Sequence, residues 1–171
     1  QQCADSAIRL RAEWIRQSGG DLDQLSFYAT SGDPLPWSRY RRGEQPYVRG
    51  NRIAWRAVDA EQQSWEGWLR AVFMWAGTRS LWAYETEPVS GTPQPGHLLV
   101  TPGSPGHAVV ILRVARDAQN QRTYVLVGEG FMPAQDFHVE HGPYQGWWEW
   151  DDGGLRLSHW ILGTDTLRKW R

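Results

Sequence analysis

The sequence predicts an α+β fold in which an N-terminal helix that carries a cysteine packs on an antiparallel sheet. Two observations lead to this prediction. Apolar residues recur at three- and four-residue steps over residues 3–17, which is the spacing of an amphipathic helix. Three β-rich segments, 97–101, 107–115 and 123–129, follow one another later in the chain, and neighbouring strands of this kind pair most simply as antiparallel partners. Helices followed by strands are typical of α+β proteins.

The length and composition favour one domain over residues 1–171 and exclude several classes of protein. The chain has 171 residues, 40% of them hydrophobic, which is enough for a single core. Its formal net charge is −1, with acidic and basic residues interspersed, so we expect no nucleic-acid partner. It has no run of about 18 apolar residues, so we expect no membrane-spanning helix. Because the first residue is Gln1 rather than Met, we expect an upstream segment.

The first predicted helix places a cysteine at its N-terminus. It ends at Ser18-Gly19-Gly20, because glycine adopts the left-handed conformation at which many helices stop. Cys3 lies in the first turn, where free backbone N–H groups and the helix dipole favour a thiolate over a thiol. It is the single cysteine of the chain, so it cannot form an internal disulfide. This position indicates a reactive residue.

The middle of the chain is predicted to hold one more long helix. Residues 26–56 alternate short apolar pieces with turn formers and contain a basic cluster at 39–42, so we expect a loop-rich insertion there with one or two short strands. A second helix is predicted over residues 60–76, because its apolar residues form one stripe and Asp59 can cap its start. One or two further helical turns are expected over residues 78–85.

His107 opens the most strand-like apolar run of the chain. Two Pro-Gly pairs precede it in residues 102–106 and indicate turns that lead into an extended segment. The imidazole is therefore expected at the edge of a strand. Further strands are predicted at 137–139 and 155–162, with an aromatic loop at 144–152 between them.

These residues can form a catalytic triad. A nucleophilic thiol needs a base within hydrogen-bonding reach and a third polar group that orients the base. Cys3 supplies the thiol, His107 the base, and Glu129, at the end of the neighbouring strand, the orienting group. Asp136 or His138 are the alternatives to Glu129. The pattern predicts a Cys-His-Glu arrangement of the kind that nucleophilic catalysis requires.

The tryptophan content suggests a binding surface. The chain has 12 Trp, roughly five times the average share, and such residues either enlarge the core or line a groove for sugars or peptides. We predict Ser104, His138, Trp147 and Trp148 as substrate-binding residues. The alternative function is a non-catalytic module that binds glycan or peptide through exposed Trp and Tyr.

A metal-dependent hydrolase is a third hypothesis, because all histidines lie in the second half of the chain. His138 and His141 resemble a ligand pair, but residues three apart on a strand face opposite sides. The sequence has no His-Glu-x-x-His motif and no cysteine pair. We therefore predict no metal and no other cofactor. The histidines are His97, His107, His138, His141 and His159.

Four segments of the chain resemble a bacterial family known only as a domain of unknown function. They are Gln2–Glu13, Ala76–Leu81, Pro102–Ala108 and Phe131–Val139. The resemblance spans nearly the whole chain and implies a shared fold and site. Members of that family look longer at the N-terminus, and they have Gln where this sequence has Glu129. Both side chains accept a hydrogen bond from an imidazole N–H, but a carboxylate favours the imidazolium more strongly.

A second resemblance concerns the order of the elements. A helix-borne cysteine, a Leu-Leu-Val-Thr strand and a strand that begins His107-Ala108-Val109 resemble the layout of NlpC/P60-type papain-like cysteine peptidases. The resemblance implies a papain-like fold and cleavage of an amide bond in a peptidoglycan stem peptide or a related peptide. A transamidase that uses the same triad is included in this expectation. It further implies a location in the bacterial cell envelope, periplasmic or secreted.

Overall fold

The computed structural model describes residues 2–171 as a set of short helices around one large sheet. No helix in this part of the chain is both long and apolar enough to cross a bilayer. The helices are α1 (Cys3–Gln17), α2 (Trp37–Arg41), α3 (Trp65–Trp75) and α4 (Thr78–Ser80), with 3-10 turns at Ala60–Gln62 and Thr164–Thr166 and a π-helical turn at Leu81–Glu85.

Thirteen strands are found within the same residues. They are β1 (Ser26–Tyr28), β2 (Pro34–Pro36), β3 (Glu44–Arg49), β4 (Arg52–Ala57), β5 (Thr86–Pro88), β6 (Leu98–Thr101), β7 (His107–Arg116), β8 (Thr123–Glu129), β9 (His138–Val139), β10 (Trp148–Trp150), β11 (Leu155–Arg156), β12 (Ile161–Leu162) and β13 (Leu167–Trp170). Seven of them form the main sheet, and the remaining six form three separate hairpins.

The main sheet is antiparallel throughout, in the order β10-β8-β7-β6-β13-β5. The short strand β9 pairs with the C-terminal end of β8, where His138 is opposite Glu129. Strand β10 pairs with the N-terminal part of β8, where Trp148 is opposite Val125. The free edge of β8 is therefore shared by two short strands that lie near its opposite ends.

The sheet is buried on both faces. Side chains alternate between the faces of a strand, so Leu98 and Val100 of β6 pack toward α1 and α3, whereas Leu99 packs toward the β11–β12 hairpin. His107 alternates with Ala108 and therefore points to the same face as Val109, which packs toward the β11–β12 hairpin. By the same alternation along β8, Glu129 shares this face with Val125 and Val127.

The structure confirms the main elements that the sequence predicts. Helix α1 spans Cys3–Gln17, and β6, β7 and β8 occupy the three predicted segments and pair antiparallel. The mixed architecture, an N-terminal helix on an antiparallel sheet, is thus as predicted. The predicted helical turns over residues 78–85 are present as α4 and the π-helical turn.

The second long helix begins later than predicted. Asp59 caps only the 3-10 turn, where its Oδ1 accepts a hydrogen bond from the Glu61 N–H at 3.0 Å. Helix α3 starts at Trp65, and its cap is Ser64, whose Oγ accepts from the Gly67 N–H at 3.1 Å. Because two capping residues lie five positions apart, the chain forms two short elements where the apolar stripe suggests one helix.

Residues 26–57 are more ordered than a loop-rich insertion. They form two hairpins, β1–β2 and β3–β4, with α2 between them. The basic cluster lies on and just after α2, where Arg39 contacts Glu44 at 2.7 Å and Arg41 contacts Asp23 at 3.0 Å. These ion pairs account for two of its three arginines.

The C-terminal third also differs from the prediction. The segment 144–152, predicted as a loop, contains β10, which extends the main sheet. The segment 155–162, predicted as one strand, forms the β11–β12 hairpin and covers a face of the sheet. Strand β13 lies between β6 and β5, a long-range pairing that no local pattern indicates.

The core provides a stability test at Trp68. This residue is fully buried, and its Nε1–H donates to the Leu35 carbonyl oxygen at 3.0 Å. We expect Trp68→Ala to lower the free energy of unfolding by about 3–5 kcal/mol, because it leaves a cavity and an unpaired carbonyl. Urea denaturation measures the change. Trp14→Ala, at an exposed position, is the matched control and should change stability by less than about 0.5 kcal/mol. Equal losses in the two variants would contradict this packing.

Candidate functional site

The three predicted catalytic residues meet at one end of the main sheet. Cys3 is the first residue of α1, His107 the first residue of β7, and Glu129 the last residue of β8. Since β7 and β8 are antiparallel, the start of one strand lies beside the end of the other. The N-terminus of α1 reaches the same end, where Cys3 Sγ lies 4.0 Å from the Gly106 carbonyl oxygen.

Gly106 allows the chain to pass close to Thr78 of α4. A Cβ at this position would lie 2.3 Å from Thr78 Oγ1 and 2.8 Å from the Thr101 carbonyl oxygen, which is too close for any side chain. The glycine thus permits the tight turn that delivers His107 to the start of β7. The Pro-Gly pairs of the sequence correspond to this turn.

His107 lies between the carboxylate of Glu129 and the thiol of Cys3. Its Nε2 lies 2.5 Å from Glu129 Oε2, and both side chains are almost completely buried, at 2% and 0% exposure. The Cys3 side chain also lies close enough to the ring to raise the pKa of His107. Because Glu129 occupies Nε2, the atom left for Cys3 is Nδ1. The arrangement is a thiol, an imidazole and a carboxylate in series.

The neighbours of His107 favour its protonated form. Burial lowers its pKa, but the hydrogen bonds and charges of Cys3 and Glu129 raise it by more, to about 9 from the usual 6.5. At neutral pH the imidazolium is therefore the stable form. An imidazolium beside a thiol at a helix N-terminus stabilises a thiolate.

A second imidazole contacts the same carboxylate. His159 Nε2 lies 2.7 Å from Glu129 Oε1, so each carboxylate oxygen has one histidine. The rings of His107 and His159 are perpendicular, with centroids 5.4 Å apart. From the sequence, His159 is only one of five histidines, 30 residues from Glu129. Nothing in its local pattern indicates this contact.

Aromatic rings enclose His107. Phe131 and Trp160 lie with centroids 5.7 Å and 5.2 Å from the imidazole, and the Trp160 Nε1–H points to Thr101 Oγ1 at 3.4 Å. These rings reduce water contact with the His107–Glu129 hydrogen bond, which strengthens it. Sequence analysis missed both residues, because neither belongs to a recognisable motif.

The alternative orienting residues make other contacts. His138 Nε2 is 2.9 Å from Glu140 Oε1, and its Nδ1 is 3.2 Å from the backbone oxygen of Asp136. That backbone hydrogen bond, together with Glu140, raises the pKa of His138 despite partial burial. The side chain of Asp136 is exposed. Glu129 is therefore the residue that contacts the His107 ring.

The predicted substrate-binding residues are spread over the molecule. Ser104 is exposed in the turn before His107. Trp148 is opposite Val125 on β8, four residues and about 13 Å from Glu129 at the usual rise of a strand. Trp147 lines a recess of about 480 Å³ together with Tyr124 and Tyr144. We call this the aromatic recess. The structure thus brings Ser104 near the catalytic residues but leaves Trp147 and Trp148 at the other end of β8.

Within residues 2–171, two groups of side chains have the composition of a metal site. One is His107, Glu129 and His159, and the other is Glu129, His138 and Glu140. Ligands at about 2.0–2.2 Å around one zinc ion are separated by about 3.3 Å in tetrahedral geometry. The contacts of 2.5, 2.7 and 2.9 Å between these groups are instead hydrogen-bond lengths. In this structure these groups therefore contact one another directly, as hydrogen-bonding and ion-pairing partners.

The pairing of Cys3 with His107 predicts a specific reactivity profile. Alkylation of Cys3 by iodoacetamide should begin well below pH 8.5, the usual range of a thiol, and reach a plateau. The plateau should end near pH 9, where His107 loses its proton. His107→Ala should remove the plateau and slow alkylation at pH 6 by at least about tenfold.

Mass spectrometry of intact protein between pH 4 and pH 10 gives these rates, because the chain has a single thiol. His141→Ala, at an exposed imidazole, is the matched control and should leave the profile unchanged. A wild-type rate that rises only near pH 8.5 and does not respond to His107→Ala would show that the two residues are not coupled.

The comparisons with known proteins identify a family without an assigned activity. A family model described as a domain of unknown function (4846) matches residues 1–169. No curated protein and no solved structure matches the chain. The match covers almost the whole sequence and both sides of the candidate site.

Proposed function

We propose that this chain, which belongs to the family described as a domain of unknown function (4846), is a cysteine hydrolase that cleaves an amide bond. The observation that carries the proposal is the buried series Cys3, His107 and Glu129. It joins a thiol at a helix N-terminus to an imidazole whose other nitrogen is 2.5 Å from a carboxylate. Each of the three groups has the chemical type that its place in such a triad requires.

In the first half-reaction, Cys3 Sγ attacks the carbonyl carbon of the substrate amide. The electron pair of the C=O bond moves to the oxygen, which becomes an oxyanion in the tetrahedral intermediate. When this collapses, the C–N bond breaks and the Nδ1–H of His107 protonates the leaving amine. The products are a free amine, a thioester on Cys3 and a neutral His107.

The N-terminus of α1 supports the oxyanion. The backbone N–H groups of the first turn have no acceptor within the helix, and the first intrahelical bond runs from the Ser6 N–H to the Gln2 oxygen at 3.0 Å. We propose the N–H of Cys3 itself as the donor, because it belongs to the residue that carries the attacking sulfur. A donor at this place stabilises the charge that develops in the transition state.

In the second half-reaction, neutral His107 takes a proton from water at Nδ1. The hydroxide equivalent attacks the thioester carbonyl, the C–S bond breaks, and Cys3 leaves as a thiolate beside the restored imidazolium. Glu129 accepts the Nε2–H of His107 throughout, which fixes the tautomer and stabilises the positive charge. An amine in place of water would give a transamidase with the same residues.

The substrate class follows from the order of the elements. A helix-borne thiol, an imidazole at a strand start and an antiparallel sheet resemble the NlpC/P60-type papain-like peptidases, which mostly cleave amide bonds in peptidoglycan stems. We therefore propose a papain-like relationship, a stem peptide or related peptide as substrate, and a location in the bacterial cell envelope. The support is the resemblance in the order of these elements.

A second candidate function rests on the aromatic recess. Tyr124 and Tyr144 meet edge to face at 5.5 Å, and Trp147 lines the same recess, with Arg116 and Asp117 at its edge. Partly exposed rings beside charged groups suit a sugar ring or a peptide side chain. This surface can serve a non-catalytic glycan- or peptide-binding module.

Hydrolysis of peptidoglycan stem peptides tests the first proposal. Wild-type protein should release a free amine product, and Cys3→Ala should reduce the rate at least about a thousandfold, because the nucleophile is lost. Liquid chromatography with mass spectrometry detects the products and the thioester on Cys3. His141→Ala is the control and should retain the wild-type rate. Equal cleavage by wild type and Cys3→Ala would refute the assignment.

Binding of a soluble glycan tests the second candidate. We expect an N-acetylglucosamine oligomer to bind Trp147→Ala about three- to tenfold more weakly than wild type, from the loss of one stacking ring. Isothermal titration calorimetry on Cys3→Ala protein separates binding from turnover. Trp14→Ala, on the exposed side of α1, is the control. No heat with wild-type protein would remove this candidate.

A further inference from the structure

Glu129 lies between two imidazoles, and we propose that His159 is a positioning residue that keeps this buried carboxylate ionised and directed at His107. The inference deepens the proposed function. It rests on that function only for the role of the His107 proton in cleavage of the amide. It extends the triad to a series of four residues: Cys3, His107, Glu129 and His159.

The first support is the pairing of donors with oxygens. Glu129 Oε2 faces His107 Nε2 at 2.5 Å, and Oε1 faces His159 Nε2 at 2.7 Å. The carboxylate side chain is completely buried, at 0% exposure. A buried carboxylate stays charged only where donors replace the water that it has lost. Oε1 accepts no aligned hydrogen bond in the described part of the chain, and His159 Nε2, in ion-pair contact at 2.7 Å, is the group placed to fill this role.

The second support is the tautomer that the surroundings of His159 favour. Its Nδ1 lies 3.1 Å from Ser158 Oγ, whose hydroxyl can donate to that nitrogen. The proton of a neutral His159 is then on Nε2, which faces Glu129. The ring is also held in place, because Phe131 packs against it edge to face with centroids 4.3 Å apart.

The other charged groups near Glu129 do not replace this donor. His138, on the neighbouring strand β9, interacts with the charge of Glu129, but its two ring nitrogens contact Glu140 and a backbone oxygen. Glu140 is itself an acceptor. Cys3 lies on the far side of His107 and acts on that ring.

Loss of the His159 N–H has a defined consequence. Oε1 would then be a buried anionic oxygen with no imidazole beside it, which favours the protonated acid. A neutral Glu129 no longer supplies the charge that raises the pKa of His107, whereas burial continues to lower it. His107 would become neutral near pH 7 and would no longer hold a proton for the leaving amine.

The test is the titration of His107 in protein with ¹⁵N-labelled histidine, followed by NMR of the ring nitrogens. Wild-type His107 should titrate near pH 9. His159→Phe and His159→Leu fill the space without an N–H, and in both we expect the His107 midpoint to fall by at least about 1 pH unit. His159→Gln restores an N–H donor and should keep the midpoint within about 0.5 unit of wild type.

Comparison of the variants distinguishes the effect of an N–H donor at position 159 from the effect of a side chain that only fills the space. Two donor-free variants are used so that a folding failure in one leaves the other, and Cys3 alkylation at pH 6 should slow in both. An unchanged His107 midpoint in either folded donor-free variant would overturn the proposal, as would equal shifts in His159→Gln and His159→Phe. His141→Gln is the matched control and should shift nothing. The readout needs no substrate, so the positioning role can hold even if no amide is cleaved.

Discussion

The contact between His107 and Glu129 is the interaction on which the rest of the site depends. It holds an imidazole and a carboxylate 2.5 Å apart where water has almost no access. A charge in such a place is stable only with its donors in position. Three features surround this contact. The turn at Gly106 brings His107 to the start of β7, the second imidazole contacts Glu129, and aromatic rings enclose His107.

The tryptophan surplus serves the core and the site more than a binding groove. Trp37, Trp65 and Trp68 pack on one another with centroids 5.0 to 5.7 Å apart, and Trp160 covers His107. Trp147, which lines the aromatic recess, is the main exception. A bulky core of this kind lets short helices and hairpins bury a sheet on both faces.

Much of the fold and three residues of the site could be predicted because their signals are local. The spacing over Cys3–Gln17 reports one buried helix face, and the runs after His97, His107 and Thr123 report strands. The pairing of adjacent strands then places the start of β7 beside the end of β8. The first residue of helix α3 was harder to predict, because Asp59 and Ser64 can both cap the start of a helix.

By itself, the sequence determined the chemical types at the site: one thiol at a helix start, an imidazole at a strand start and a carboxylate at the end of the next strand. Only the tertiary structure decided that His159 and Trp160, rather than Asp136 or Trp147, lie against Glu129 and His107. The reason is that the β11–β12 hairpin folds across a sheet face and brings His159 to Glu129 from 30 residues away. Contacts of this kind follow from packing of whole elements, which no periodicity within a short segment encodes.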